Sequence, residues 1–201
     1  MIYKACLIRE GESGNGREYD SDVLYYMRDF INKQFERYHP VPVCMHAGLN
    51  HVDADDTGTD KIGECIHSWV EPDDKEKFAG RTMCLVEITN PAFEKILEDA
   101  EKEGNIDVFG LSKHSISLRD TDKPGQIIKE VVHLFEMTVV KFPSSGGRFI
   151  GRASWDECRK YYDAKTERGI KEIQNTLKKI NLDGEIKRAK RKWARQIIAG
   201  V

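Results

Sequence analysis

A serine and a histidine, each in a segment with strand character, are the residues of this sequence best suited to nucleophilic chemistry. Ser112 follows Gly110 and Leu111, and the glycine lets a second backbone or a substrate approach closely beside the hydroxyl. His46 ends the segment 41–46, a position from which a side chain can reach across a sheet into a cleft. Acyl transfer at a serine needs a hydroxyl, a base, a group that orients the base, and donors for the oxyanion. Ser112 and His46 meet the first two needs, although each pattern taken alone is common.

Glu136 and His133 are the candidates for the group that orients the histidine. Side chains three apart on a strand point to opposite faces, so we expect only one of the two to face Ser112 and His46. A carboxylate stabilises the imidazolium that forms during attack, which favours Glu136. The serine has an alternative as well, because Ser115 follows closely after Ser112. The sequence therefore predicts a Ser-His-Glu or a Ser-His-His triad.

The loop after His46 offers a different chemistry. Five residues are of types that bind metal ions, so a metal-dependent hydrolase is an alternative hypothesis; they are His46, His51, Asp53, Asp55 and Asp56. The spacing fits no helix-borne zinc motif, and acidic loops are usually just solvated. We therefore expect no metal and no cofactor.

Length and composition predict one core with room for an appendage. The chain has 201 residues, of which 39% are apolar and 33% charged. Its formal net charge of -2 argues against a protein whose whole surface is built for nucleic acid. Six of the nine residues 187–195 are basic, and Trp193 is the single aromatic among them, whereas a single-strand binder interleaves several. We expect this tail to be a solvated or docking helix and expect no nucleic-acid partner.

The cysteines and the hydropathy pattern indicate a soluble intracellular protein. Five cysteines, an odd number, lie mostly in apolar segments and show no C-x-x-C spacing. This pattern favours reduced core thiols and excludes a zinc ribbon. No apolar stretch approaches the length of a membrane span, and charged residues come too early for a secretory signal.

Strand patterns dominate the first 150 residues. The predicted strands are residues 2–8, 41–46, 62–70, 82–89, 108–118 and 127–140. The last two are the longest, and we expect them to pair as neighbours across the turn 120–125. One helix is predicted from Asp20 or Ser21 to the His39-Pro40 stop, and a second from Asn90-Pro91 to Gly104.

Helical patterns dominate after residue 150. Residues 144–147 form a polar, glycine-containing loop, and Ser154 with Glu157 has the form of a capping box that opens a helix. The sequence therefore predicts a domain over residues 1–150 and a helical extension, not an independent domain, over residues 151–201.

Five short motifs follow one another in the order of a known family. They are Gly16-Arg17-Glu18-Tyr19 before a helix, Val41-Pro42-Val43 leading to His46, Ile62-Gly63, Gly110-Leu111-Ser112, and the segment Glu136-Met137-Thr138-Val139-Val140 followed by Pro143. Together they resemble the prohead proteases of tailed bacteriophages, whose fold is shared with the herpesvirus assemblin proteases. No single motif is specific; the ordered set carries the resemblance.

The resemblance implies an α+β fold, a mixed and mainly antiparallel barrel-like β-sheet flanked by helices. It implies a serine endopeptidase that cleaves scaffold protein, major capsid protein and itself during prohead maturation, inside the assembling prohead in the host cytoplasm. Ser112, His46 and Glu136 take the catalytic positions, and a homodimer is a possibility. The oxyanion loop would be Ser144, Ser145, Gly146, Gly147 and Arg148.

Some positions leave alternatives open. The residues after the nucleophile, Lys113 and His114, differ from those expected in the family, so Ser115 stays open although Ser112 follows Gly-Leu directly. The assemblins use a second histidine as third member, so His133 stays open too. A catalytically inactive scaffold or capsid-assembly module of the same fold is the remaining alternative, and the basic tail is either self-cleaved or a dock for scaffold.

Overall fold

The computed structural model describes residues 1–46, 60–72, 80–119 and 126–159, together with residues 161, 163, 167, 171 and 175. Contacts divide the chain into two compact units, Met1–Cys158 and Arg159–Val201. The predicted boundary at residue 150 falls inside a strand of the first unit, which extends a few residues further. In the second unit, the described single residues are helical.

The first unit contains nine strands and two long helices among its described residues. The strands are β1 (Ile2–Arg9), β2 (Gly11–Glu12), β3 (Arg17–Tyr19), β4 (Val41–Met45), β5 (Asp60–Pro72), β6 (Gly80–Ile88), β7 (Gly110–Arg119), β8 (Gln126–Val140) and β9 (Arg148–Arg152). The helices are α1 (Ser21–Glu36) and α2 (Pro91–Lys102), with a 3₁₀ turn at Ile106–Val108. A further helix begins at residue 155.

Seven of these strands close into a barrel. The order β8-β4-β5-β6-β1-β9-β7 returns to its start because β7 also pairs with β8, while β3 and β2 extend the sheet beyond β8. Only the pairings of β8 with β3 and with β4 are parallel, and the others are antiparallel. The predicted fold, a mixed and mainly antiparallel barrel-like sheet flanked by helices, is confirmed. Closure leaves the seven strands without free edges.

Capping side chains start each helix where the sequence predicts it. The Asp20 carboxylate accepts from the Val23 amide at the start of α1, and the Asn90 side chain accepts from Ala92 and Phe93 ahead of α2. Pro91 takes the first helical position of α2, where a missing N–H costs nothing.

The predicted capping box at residue 154 is confirmed as well. The Ser154 amide and hydroxyl both donate to Glu157 Oε2, at 2.8 and 2.7 Å, and the Glu157 amide donates back to Ser154 Oγ. These bonds lower the pKa of the Glu157 carboxyl, helped by Lys4 nearby.

One hydrophobic cluster joins the sheet to both helices. Its strand members include Val43 of β4, Leu111 of β7, and Met137 and Val139 of β8, and its helical members come from α1 and α2. We call the side of the sheet that carries this cluster the core face. All five cysteines are buried and none of them forms a disulfide, and their burial agrees with the apolar setting of most of them.

The sequence reading missed three short strands. β2 and β3 lie between the first predicted strand and the first predicted helix, where no strand was predicted, and β9 lies where the helical extension was expected to begin. β9 has only five residues and includes Gly151, so it carries little alternating pattern, and pairing with β1 and β7 is what makes it a strand.

Candidate active site

Three adjacent strands bring one row of polar side chains together. Ser112 on β7 lies directly opposite Thr138 on β8, and Thr138 is also the partner of Cys44 on β4. Residues directly opposite in a ladder point to the same side of the sheet. None of the three belongs to the hydrophobic cluster, so this row lies on the side opposite the core face, which we call the cleft face.

Glu136 and His46 join this row through a hydrogen bond. His46 follows β4 directly, and its Nε2 lies 3.1 Å from Glu136 Oε1. Thr138 Oγ1 donates to the same carboxylate oxygen, also at 3.1 Å. Because a carboxylate only accepts, the His46 ring donates through Nε2–H, which leaves Nδ1 as the acceptor of the neutral imidazole. The hydroxyl of Ser112 and the imidazole of His46 therefore flank one Thr-Glu pair on the cleft face.

The four polar side chains on the cleft face are almost completely buried but keep a small exposed fraction. Ser112 is 5% exposed, His46 7%, Glu136 7% and Thr138 4%, whereas Leu111 and Met137, on the core face, are fully buried. Charges and hydrogen bonds act more strongly in such partly desolvated surroundings than in water. Between described residues, no hydrogen bond joins Ser112 to His46. Catalytic hydrogen bonds are often loose before substrate binds.

Ser115 lies on the opposite side of β7 from Ser112. Its partner on β8 is Leu134, a member of the hydrophobic cluster, so Ser115 points to the core face. There it accepts a hydrogen bond from Lys113 Nζ at 2.9 Å. The fold therefore brings Ser112, and not Ser115, to the face of His46 and Glu136.

Burial lowers the pKa of Lys113 to about 8, with a smaller contribution from the charge of Arg17. The unfolded chain holds this proton up to about pH 10.4. Between about pH 8 and that value, the folded state therefore binds fewer protons than the unfolded state, and the free energy of unfolding rises with pH. We expect the free energy of unfolding to rise by about 3 kcal/mol over this window. Lys113→Met should abolish most of the rise and be more stable than the wild type at pH 7. Urea titrations at several pH values would check this, and parallel pH profiles for the two proteins would contradict it.

His133 lies on the same side of β8 as Glu136, contrary to the expectation that the two point to opposite faces. Glu136 pairs with His114 and Leu134 pairs with Ser115, so Phe135 is the extra residue of a β-bulge, which resets the alternation. His133 is nevertheless exposed, and its ring contacts Phe135 at 4.5 Å and Phe30 at 5.5 Å between centroids. Glu136, and not His133, makes the contact with His46.

The loop 144–148 runs beside the strand that carries Ser112. The Leu111 amide donates to Gly147 O at 3.0 Å, and Arg148 pairs with Gly110 at the start of β9. The Ser144 and Ser145 carbonyls accept from the amides of Gly14 and Arg9. The loop is thus held by its carbonyl groups. Among the described residues, no backbone acceptor receives the amides of residues 144–147.

The two glycines of this loop are there for different reasons. Gly146 has φ of 73°, a left-handed conformation that favours glycine. A Cβ on Gly147 would lie 2.1 Å from Leu111 O and 2.6 Å from Leu7 O, so only glycine permits this close approach to β7 and β1. The glycines allow the amides to lie next to the nucleophile strand.

Sequence reasoning missed two residues of this site. Thr138 was included in the sequence prediction only as part of a family motif. Thr138 and Glu136 are two residues apart on β8, so their side chains lie on the same face and can form a hydrogen bond. His114 lies directly opposite Glu136, and its Nδ1 is buried without a partner among the described residues. Side chains two residues apart on a strand share a face, so His114 could have been found from Ser112, and Thr138 from Glu136.

Thr138→Val should lower the catalytic rate because it removes the second hydrogen bond to Glu136 Oε1 while it keeps the side-chain shape. A hydrogen bond to a charged group contributes roughly 1.5–3 kcal/mol, so we expect a loss of about tenfold or more in kcat. The matched control is Thr138→Ser, which keeps the hydroxyl and should retain most of the activity. Equal rates for the two variants would show that the hydroxyl does not act on Glu136.

The proposed metal loop lies mostly outside the described residues, since only His46 of its five candidates is described. Within the described ranges, no group of three potential ligands is placed to hold a metal ion. None of the described helices is long and apolar enough to cross a membrane.

The site combines a hydroxyl, an imidazole and a buried carboxylate, with the loop 144–148 beside the strand of the hydroxyl. His46, Glu136, Thr138 and Ser112 share the cleft face, Ser115 lies on the core face, and His133, on the side of Glu136, contacts Phe30 and Phe135 instead of His46. Such a set can carry out acyl transfer through a covalent serine intermediate. Comparisons with protein-family models, with curated proteins and with solved structures find no match for this chain.

Proposed function

We propose that this protein is a serine endopeptidase with Ser112 as nucleophile, His46 as general base and Glu136 as the group that orients the base. The observation that carries the proposal is the 3.1 Å contact between His46 Nε2 and Glu136 Oε1, made beside the Ser112–Thr138 pair. A buried carboxylate that holds a histidine near a serine is the arrangement that nucleophilic serine catalysis needs.

The mechanism follows from the roles of these atoms. Ser112 Oγ attacks a peptide carbonyl carbon and its proton passes to His46, through Nδ1 in the conformation described above. Glu136 stabilises the imidazolium, and His46 then gives the proton to the leaving amine. Water repeats the sequence on the acyl-enzyme and releases the second product. The amides of the loop 144–148 supply donors for the oxyanion.

The substrate proposal rests on the ordered family motifs. We propose that the enzyme cleaves scaffold protein, major capsid protein and itself during maturation of a phage prohead. Self-cleavage is directly measurable, because incubated wild-type protein should lose mass at its termini while the Ser112→Ala variant should not. Identical intact masses for the two proteins would count against self-processing.

A second candidate uses Ser115 with Lys113 as its base. The hydrogen bond of 2.9 Å between Lys113 Nζ and Ser115 Oγ favours it, since a lysine of lowered pKa activates serine in some hydrolases. With a pKa of about 8, Lys113 is still about nine-tenths protonated at pH 7 and acts mainly as a donor. Ser115 also lies away from His46 and Glu136. Ser112 is therefore the stronger candidate.

Labelling with a fluorophosphonate probe tests the proposal on the whole chain. We expect one covalent adduct per chain, located on Ser112 by peptide mass spectrometry, and no loss of labelling in the presence of EDTA. An adduct on Ser115 would favour the lysine mechanism. Absence of any adduct would favour the inactive assembly module, and cleavage of peptides that EDTA abolishes would favour the metal-dependent alternative.

A further inference from the structure

Two cations, one on β7 and one on β3, lie on the core face, away from the candidate active site. Lys113 and Arg17 are each only partly exposed, and the charge of Arg17 acts on the Lys113 ammonium. The Lys113 ammonium lies 5.2 Å from the centre of the Tyr19 ring. Such a contact stabilises a desolvated cation.

Neither cation has an acidic partner among the described residues. Among the ion pairs of the described residues, none includes Lys113 or Arg17. Withdrawing a positive charge from water without a counter-charge costs free energy, and a second positive charge nearby adds to that cost. An anion bound between the two would offset both costs.

Hydroxyl groups complete the lining next to the ammonium. Lys113 Nζ donates to Ser115 Oγ at 2.9 Å, and Ser115 Oγ lies 3.3 Å from Ser117 Oγ. Both serines are partly exposed, so this row opens toward solvent. A hydroxyl can turn its hydrogen toward an acceptor as needed. The set of ammonium, guanidinium and two hydroxyls presents several donors and no carboxylate.

We propose that Lys113, Arg17, Ser115 and Ser117 form a binding recess for a small oxyanion, a phosphate or carboxylate group. Guanidinium and ammonium groups are the usual partners of both anions, and charge-assisted hydrogen bonds to them are the strong ones. The recess lies on the other side of β7 from Ser112, so it is independent of the proposed peptidase and stands if that proposal fails.

Calorimetric titration of the full chain with inorganic phosphate and, separately, with acetate tests the recess. Sodium chloride keeps the ionic strength constant. We expect saturable binding of one anion per chain and a matching shift of the ¹³Cε signal of Lys113 in lysine-labelled protein. The arm with the tighter binding identifies which anion the recess prefers. Absence of saturable binding in both arms would overturn the proposal.

The variants Lys113→Met and Arg17→Gln should each weaken binding at least tenfold. Lys102→Met is the matched control, because Lys102 is exposed on α2 and should leave the affinity unchanged. Arg17 lies on the short strand β3, so Arg17→Gln tests the recess from a second strand. Wild-type affinity in both Lys113→Met and Arg17→Gln, or equal weakening by Lys102→Met, would contradict the assignment.

Discussion

Ser112→Ala should abolish labelling by a fluorophosphonate probe and lower peptidase activity by about 10⁴-fold or more, since the acyl-enzyme can no longer form. The hydroxyl is small and lies opposite Thr138, so its removal leaves the pairing of β7 with β8 intact. Circular dichroism and urea titration should therefore match the wild type. The measurement is the rate of probe incorporation together with hydrolysis of a denatured protein substrate.

Ser115→Ala is the matched control for this experiment. It removes the same group from the same strand, but on the face that carries Lys113 and the hydrophobic cluster. We expect its labelling and hydrolysis to stay within about threefold of wild type, because this hydroxyl makes no contact with His46 or Glu136. The reverse pattern, with labelling kept by Ser112→Ala and lost by Ser115→Ala, would transfer the nucleophile to Ser115.

Glu136→Gln should lower kcat by about 10³-fold with little change in KM. The amide keeps the size of the carboxylate, so the fold is retained, but it carries no charge to stabilise the imidazolium of His46. It can also turn an N–H toward His46 Nε2, which favours the tautomer whose Nδ1 holds a proton and cannot accept one. Steady-state kinetics at several pH values would measure the effect.

His133→Gln separates the two candidates for the third position. His133 is exposed and contacts aromatic rings rather than His46, so its substitution should leave kcat within about threefold of wild type. If His133→Gln lost activity as Glu136→Gln does, the histidine would have to act through a rearranged β8, and the contact at Glu136 would not be the catalytic one.

Much of the fold followed from local patterns. Asp20 and Asn90 cap helices because their side chains replace backbone partners that the first turn lacks, a rule that depends only on neighbours in sequence. The pairing of β7 with β8 was predictable because a short turn joins two long strand patterns. β9, in contrast, depends on strands distant in sequence, and no local pattern of its five residues indicates them.

The bulge at Phe135 shows where strand parity alone misleads. Strict alternation puts His133 and Glu136 on opposite sides, whereas one extra residue in β8 puts them on the same side. A bulge adds a residue to one strand only, so it is visible only when the partner strand is known. The choice between the two residues then depends on which of them reaches His46, a residue on a different part of the chain.

The sequence alone determined the residue types and the alternation that places Ser112 and Lys113 on opposite faces of β7. These are local properties, because successive side chains on a strand alternate whatever the strand pairs with. Tertiary structure decided that β4 and β7 flank β8, and so brought His46 to Glu136 on the face that carries Ser112. Contacts between residues far apart in the chain depend on how the barrel closes, and closure is a property of all seven strands together.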